Sequence, residues 1–208
     1  MRPGVGERGL PSTTGRSSGE WLLGPSGRSI YLLGFMAVGK TSVGPVLAEL
    51  LSRRFLDLDQ EIEGRAGCSI ASLIERDGEP AFRDQETNLL RETLTEEPRV
   101  IAPGGGAILR AENRQLMELG GITVWLDAPF ELCWQRIQQD GANRPLARDE
   151  AMARQRYVDR LPLYRQAYVR IPIEAGASPE SIAAAILEAI RLLATPAGVG
   201  GVEAPTNE

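Results

Sequence analysis

Ser29 to Leu33 is a short apolar run that leads directly into GFMAVGKT, Gly34 to Thr41. Behind it Val43, Val46, Leu47, Leu50 and Leu51 recur at i, i+3, i+4, i+7 and i+8, one face of a helix. A buried strand, a glycine turn and an amphipathic helix in that order leave few folds open. The spacing G-x-x-x-x-G-K-T turns backbone N–H groups inward around phosphate oxygens, and the helix N-terminus adds partial positive charge. Ala37, Val38, Gly39, Lys40, Thr41 and Ser42 are therefore read as a nucleotide phosphate cradle. Lys40 would reach the β- and γ-phosphates, and the Thr41 hydroxyl could ligate Mg²⁺. Lys40 is the only lysine among 23 Lys and Arg residues. A compact ammonium fits this cradle, where a planar guanidinium is too bulky. The motif alone says nucleoside triphosphate binding and no more. Ala37 stands where many kinase loops have a second glycine.

The rest of the chain alternates short apolar runs with helical patterns. Strands are expected at 54–58, 99–102, 122–126 and 168–173. Helices are expected at 60–66, 70–76, 79–96, 111–119, 129–138 and 149–166. A closing helix follows Ser178 as N-cap and Pro179 at its first position. Such alternation implies a parallel sheet with helices on both faces, an α/β fold. Ligands of these sheets bind beyond the carboxyl ends of the strands. Residues 139–148 are polar and arginine-rich and read as a mobile loop. Residues 1–28 and 195–208 are rich in Gly, Pro and small polar residues, and read as a disordered extension and tail around a domain at 29–194.

The chemistry-bearing residues cluster at the strand ends. In FLDLDQEIE, Asp57 and Asp59 are two apart, so on a strand both would face the phosphate site. One could hold the water shell of Mg²⁺ and the other could orient or deprotonate a hydroxyl. Asp59 could also be a helix N-cap, which does not exclude a site role, and Asp127 reads mainly as an N-cap. Arg83, Arg144 and Arg160 each read, singly, as solvated surface arginines. Gly104, Gly105 and Gly106 at a strand end suggest close backbone approach to a ligand, with a flexible turn as the alternative.

Composition narrows the chemistry further. The chain has no histidine, which excludes Ser-His-Asp and Cys-His catalysis and His-ligated zinc. Cys68 and Cys133 are far apart and lack metal-site spacing, so they read as ordinary small side chains in a reducing compartment. A net charge of -5 disfavours a nucleic-acid partner. With no apolar run of membrane-spanning length and no signal-peptide pattern, a cytoplasmic protein without membrane partner is expected.

Taken together, GFMAVGKTSVG, FLDLDQEIE, CSIASLIERDGEPAFRDQE, VIAPGGGAI, NRPLA and DRLPLYRQAY resemble the shikimate kinase family. The resemblance spans about residues 29 to 190. It implies a three-layer P-loop kinase fold with a five-stranded parallel sheet, a substrate-binding helical region and a lid. It also implies transfer of the γ-phosphate of MgATP to the 3-hydroxyl of shikimate, on the route to chorismate. By position, Asp59 would bind shikimate hydroxyls, Arg83 and Arg160 would clamp its carboxylate, and Gly104 to Gly106 would offer backbone contacts. Lid residue Arg144 would stabilise the transferring group. Arg136 would stack on adenine, Thr41 would ligate Mg²⁺, and Asp57 would support it through water. A monomer acting on shikimate and ATP is expected. Three departures stand out: Ala37, Ile74 in place of a common aromatic, and Pro103 before the glycines. The sequence near 174–178 offers no basic residue to the nucleotide. The alternatives are another small-molecule P-loop kinase, such as a gluconate kinase, or a shikimate-kinase-like sensing domain without turnover. The second predicts decay of the substrate residues and an attached DNA-binding domain, and neither is seen in the sequence.

Overall fold

The computed structural model of the protein describes residues 27–139 and 149–194. Within them lie five strands: β1 (Ser29–Leu33), β2 (Phe55–Asp57), β3 (Val100–Ala102), β4 (Gly121–Asp127) and β5 (Val169–Pro172). All pair in parallel, in the order β2-β3-β1-β4-β5. The helices are α1 (Lys40–Leu50), α2 (Leu58–Ala66), α3 (Ile70–Asp77), α4 (Glu79–Glu92), α5 (Ala111–Gly120), α6 (Phe130–Gln139), α7 (Glu150–Tyr164) and α8 (Pro179–Ala194), with a 3-10 turn at Ala107–Leu109.

The period-two geometry of β1 explains the three layers. Ile30 and Leu32 face one hydrophobic cluster, built with Val43 and Leu47 of α1 and Ile182, Ile186 and Ile190 of α8. Tyr31 and Leu33 face the other, with Leu58, Leu73, Phe82, Leu90 and Met117. A strand buried on both faces must be apolar throughout, and every residue of β1 is buried. The expected strand-and-helix order holds, and the sheet has the five parallel strands and flanking helices that the resemblance implies. The lid at 139–148 beyond Gln139, the head before residue 27 and the tail lie outside the described residues. Among the described residues no helix is long and apolar enough to cross a membrane.

Most boundaries shift by one or two residues from the sequence reading, and two of the differences have a clear local cause. The helix expected over 79–96 stops at Glu92. There the Thr93 hydroxyl donates to the Leu90 carbonyl at 2.7 Å and meets the buried Tyr31 hydroxyl at 3.1 Å. The strand expected to run to Leu58 ends one residue earlier, at Asp57, with direct consequences for the site.

Candidate active site

The carboxyl ends of β1, β2 and β3 open into one cavity of about 1060 Å³. Ala37 to Ser42 and Arg136 line one end, and Asp59, Arg83, Glu86, Gly104 to Gly106 and Arg160 line the other. The structure therefore brings together every site residue read from the sequence except Arg144, which lies outside the described residues.

At the phosphate end, Gly39 takes φ 112 as the N-cap of α1. Ala37 is also left-handed, at φ 58. That backbone costs an L-residue about 1–2 kcal/mol, which gives the physical reason for glycine at such a position. Here the alanine bears the cost. Lys40 curls back over the loop, its Nζ donating to the Gly34 carbonyl at 2.9 Å and the Phe35 carbonyl at 3.3 Å. Arg136, from α6, crosses the same loop and donates through Nη1 to the Val38 carbonyl at 2.8 Å.

The two aspartates do not share a strand face as expected. Asp57 is the last residue of β2 and is itself the N-cap of α2, its Oδ1 accepting from Asp59 N at 3.0 Å and Gln60 N at 3.3 Å. Two backbone donors at once pull the chain into helix from Leu58 onward. The other oxygen of Asp57, Oδ2, accepts the Thr41 hydroxyl at 3.0 Å. Asp59 sits in the first turn of α2 and reaches the opposite end of the cavity, against Gly104. The cap residue is thus Asp57 rather than Asp59, and the two carboxylates have different neighbours: Thr41 for Asp57 and Gly104 for Asp59.

Burial first, and then the charge of Asp57, hold the Asp59 carboxyl above its ordinary range, against the pull of Lys40 and Arg83. Ionised Asp59 is thus less favourable in the folded protein than in the unfolded chain. Its contribution to stability is full below the ordinary aspartate range and is lost as pH rises through the elevated value. Asp59→Asn should therefore melt higher than wild type at neutral pH. The gap should narrow as pH falls and close below the ordinary aspartate range, where Asp59 is protonated in both states. Thermal melts across that window check this.

The triple glycine is a matter of space. None of the three has a positive φ, yet each lies against a charged side chain. A Cβ on Gly104 would strike the Asp59 carboxylate and come within 2.9 Å of Glu86 Oε1. One on Gly106 would come within 2.7 Å of Arg83 Nη2. Gly105 offers its carbonyl to Arg160 Nη1 at 2.8 Å. The close approach shown here is to charged side chains that line the same cavity.

Glu86 was not singled out in the sequence. It is fully buried, and its Oε2 accepts from Arg83 Nη1 at 2.7 Å. Among the described residues its Oε1 has no hydrogen-bond partner. Burial pushes its carboxyl above the usual range, while Arg83 pulls it down. Arg83 is held a second time, by Glu79 at 2.9 Å. The signal was present: Phe82, Glu86, Leu89 and Leu90 form the i, i+4, i+7, i+8 stripe of α4, and one member of that buried stripe is charged.

Asp127 is not at this site. It pairs with Arg170 at 2.6 Å and faces a separate cavity of about 590 Å³. The role expected of it, capping a helix, gives way to this ion pair at the end of β4. Both cysteines are free, and burial pushes the Cys133 thiol up to about 11, far from a reactive thiolate.

A protein-family model described as shikimate kinase matches residues 36–191. The chain belongs to the shikimate kinase family. A shikimate kinase from Synechococcus sp. (strain JA-3-3Ab) is 44% identical over 175 residues, covering 82% of this chain and 92% of that protein. The solved structure of shikimate kinase from Acinetobacter baumannii in complex with shikimate superimposes with a TM-score of 0.76 at 40% identity, covering 86% of this chain and 98% of that one. Shikimate kinase from Aquifex aeolicus gives a TM-score of 0.70 at 33% identity, covering 83% and 99%. The family and fold expected from the motifs are the ones found.

Proposed function

We propose that the protein transfers the γ-phosphate of MgATP to the 3-hydroxyl of shikimate, giving shikimate 3-phosphate and ADP. The observation that carries this reading is one cavity with two chemically distinct ends. A phosphate cradle with its lysine faces an acceptor end where three glycines press against two arginines and two carboxylates.

Phosphoryl transfer asks a protein chiefly for positioning and charge stabilisation. Lys40 and the loop N–H groups hold the β- and γ-phosphates. Thr41 Oγ1 and Asp57 Oδ2, 3.0 Å apart beside the cradle, are hard oxygen donors suited to Mg²⁺, which takes few protein ligands and keeps its waters. Thr41 would hold the ion directly and Asp57 through water; bound there, it would neutralise charge on the phosphates. Arg83 and Arg160 clamp the shikimate carboxylate, using the planar fork that matches it. Asp59 orients the acceptor hydroxyl and takes its proton as far as a loose transition state requires. Arg136, already lying over the cradle, stacks on adenine, and Arg144 of the lid stabilises the transferring group.

The test is ADP release from MgATP with shikimate, gluconate or nucleoside monophosphates offered in turn. Turnover is expected with shikimate alone. Gluconate turnover without shikimate turnover would overturn the acceptor assignment, and shikimate binding without turnover would make the protein a sensing domain.

A further inference from the structure

Behind the acceptor end lies a buried polar cluster with no place in the roles above. Thr87 of α4 and Asn113 of α5 are 2% and 0% exposed, on the same side of the sheet as Phe82, Leu90 and Met117. Buried amides and hydroxyls are costly unless bonded. Both are bonded, and their partners are informative. The Thr87 hydroxyl lies 2.8 Å from Asn113 Oδ1 and 3.0 Å from the carbonyl of Arg83, so its single hydrogen can serve either. Asn113 Nδ2 donates to the carbonyl of Ala107 at 3.0 Å. Ala107 in turn closes a turn on the triple glycine, its N–H donating to the Gly104 carbonyl at 3.0 Å. Arg110 donates to the Thr87 hydroxyl at 3.3 Å from the solvent side and pairs with Asp84 at 2.7 Å.

With its hydrogen on Asn113, the Thr87–Asn113–Ala107 chain ties α4, the helix that carries Arg83, to the turn that starts at Gly104. Arg83 and Gly104 belong to different elements and must keep a fixed separation: Arg83 packs on Gly106, and Gly104 packs on Asp59 and Glu86. The direct Arg83–Glu86 pair lies within α4 and cannot set that separation. Thr87 and Asn113 bridge the gap, over 26 residues of sequence.

We propose that Thr87 and Asn113 are positioning residues that hold the arginine-bearing helix and the triple-glycine turn in register for the acceptor. This rests on the acceptor end being the shikimate site. None of these bonds touches the phosphate cradle, so the effect falls on one substrate.

Thr87→Val keeps shape and removes the hydroxyl; Thr87→Ser restores it. Loss of one buried bond of this kind corresponds to about a tenfold effect. For Thr87→Val and for Asn113→Ala, KM for shikimate should rise about tenfold, with KM for ATP within about twofold of wild type. Thr87→Ser should return KM for shikimate to the wild-type value. If both Michaelis constants rise together, or if the melting temperature falls while neither constant moves, the cluster is only core and the proposal is wrong. Should Asn113→Ala fail to fold, the Val and Ser variants of Thr87 decide alone. Failure of the underlying reading would look different: wild type itself would show no turnover with shikimate.

Discussion

Lys40→Arg should lose about 10²–10³ in kcat while keeping the wild-type fold. Both substitution and site are charged, so the loss would come from shape. The Lys40 ammonium lies 2.9 Å from the Gly34 carbonyl and 3.3 Å from the Phe35 carbonyl, curled against a loop with left-handed residues at Ala37 and Gly39. A guanidinium brings three nitrogens in a plane, and it must either spread the loop or swing out of it. Folding should survive, because the residue is the first of α1 and only half-buried, with the core residues Val43 and Leu47 untouched. Circular dichroism and a melting curve alongside ADP release would separate the two outcomes. Retained activity would refute the role given to this lysine.

Gly104→Ala should cost about a hundredfold or more in kcat/KM for shikimate while sparing nucleotide binding. The added methyl has nowhere to go. It meets the Asp59 carboxylate on one side and Glu86 Oε1 on the other, and Glu86 is pinned by Arg83 at 2.7 Å. Relief requires moving the strand end or displacing Asp59, and a displacement of about 1 Å at such a site is worth two orders of magnitude. Nucleotide affinity, measured by titration, should change little, since the cradle lies at the other end of the cavity. Gly64→Ala is the natural control. That glycine lies in α2 with nothing within 4 Å of the added Cβ. The change should stabilise the helix by about 0.5–1 kcal/mol and leave activity alone.

How much of this was legible in the sequence depended on whether the signal was local. The β1–loop–α1 unit could be read because apolar period and glycine spacing agree over a few residues. The β2–α2 junction could not: LDLD alternates like a strand, but the Asp57 carboxylate accepts two N–H groups and starts the helix early. Asp57 and Asp59 both line the cavity, yet the geometry that sets them apart is tertiary. Glu86 was visible in principle, as a charge on an apolar stripe, and was passed over in favour of its neighbour Arg83. Thr87 and Asn113 carry no sequence signal, because each is an ordinary helical polar residue whose partner lies 26 positions away. Ala37, puzzling in the sequence, has a plain account once its φ of 58 is known. Asp127 was read by strand-end position alone, and the edge-strand residue Arg170 that claims it could not be placed beside it without the β4–β5 register.

On the proposed reading, this cavity presents one hydroxyl of shikimate to the γ-phosphate. The product formed from MgATP and shikimate tests it most directly, by phosphorus–proton correlation NMR. A single phosphate monoester coupled to the proton on carbon 3, formed in step with ADP, is the expected result. A phosphate on another hydroxyl, or ADP released with no ester formed, would contradict it.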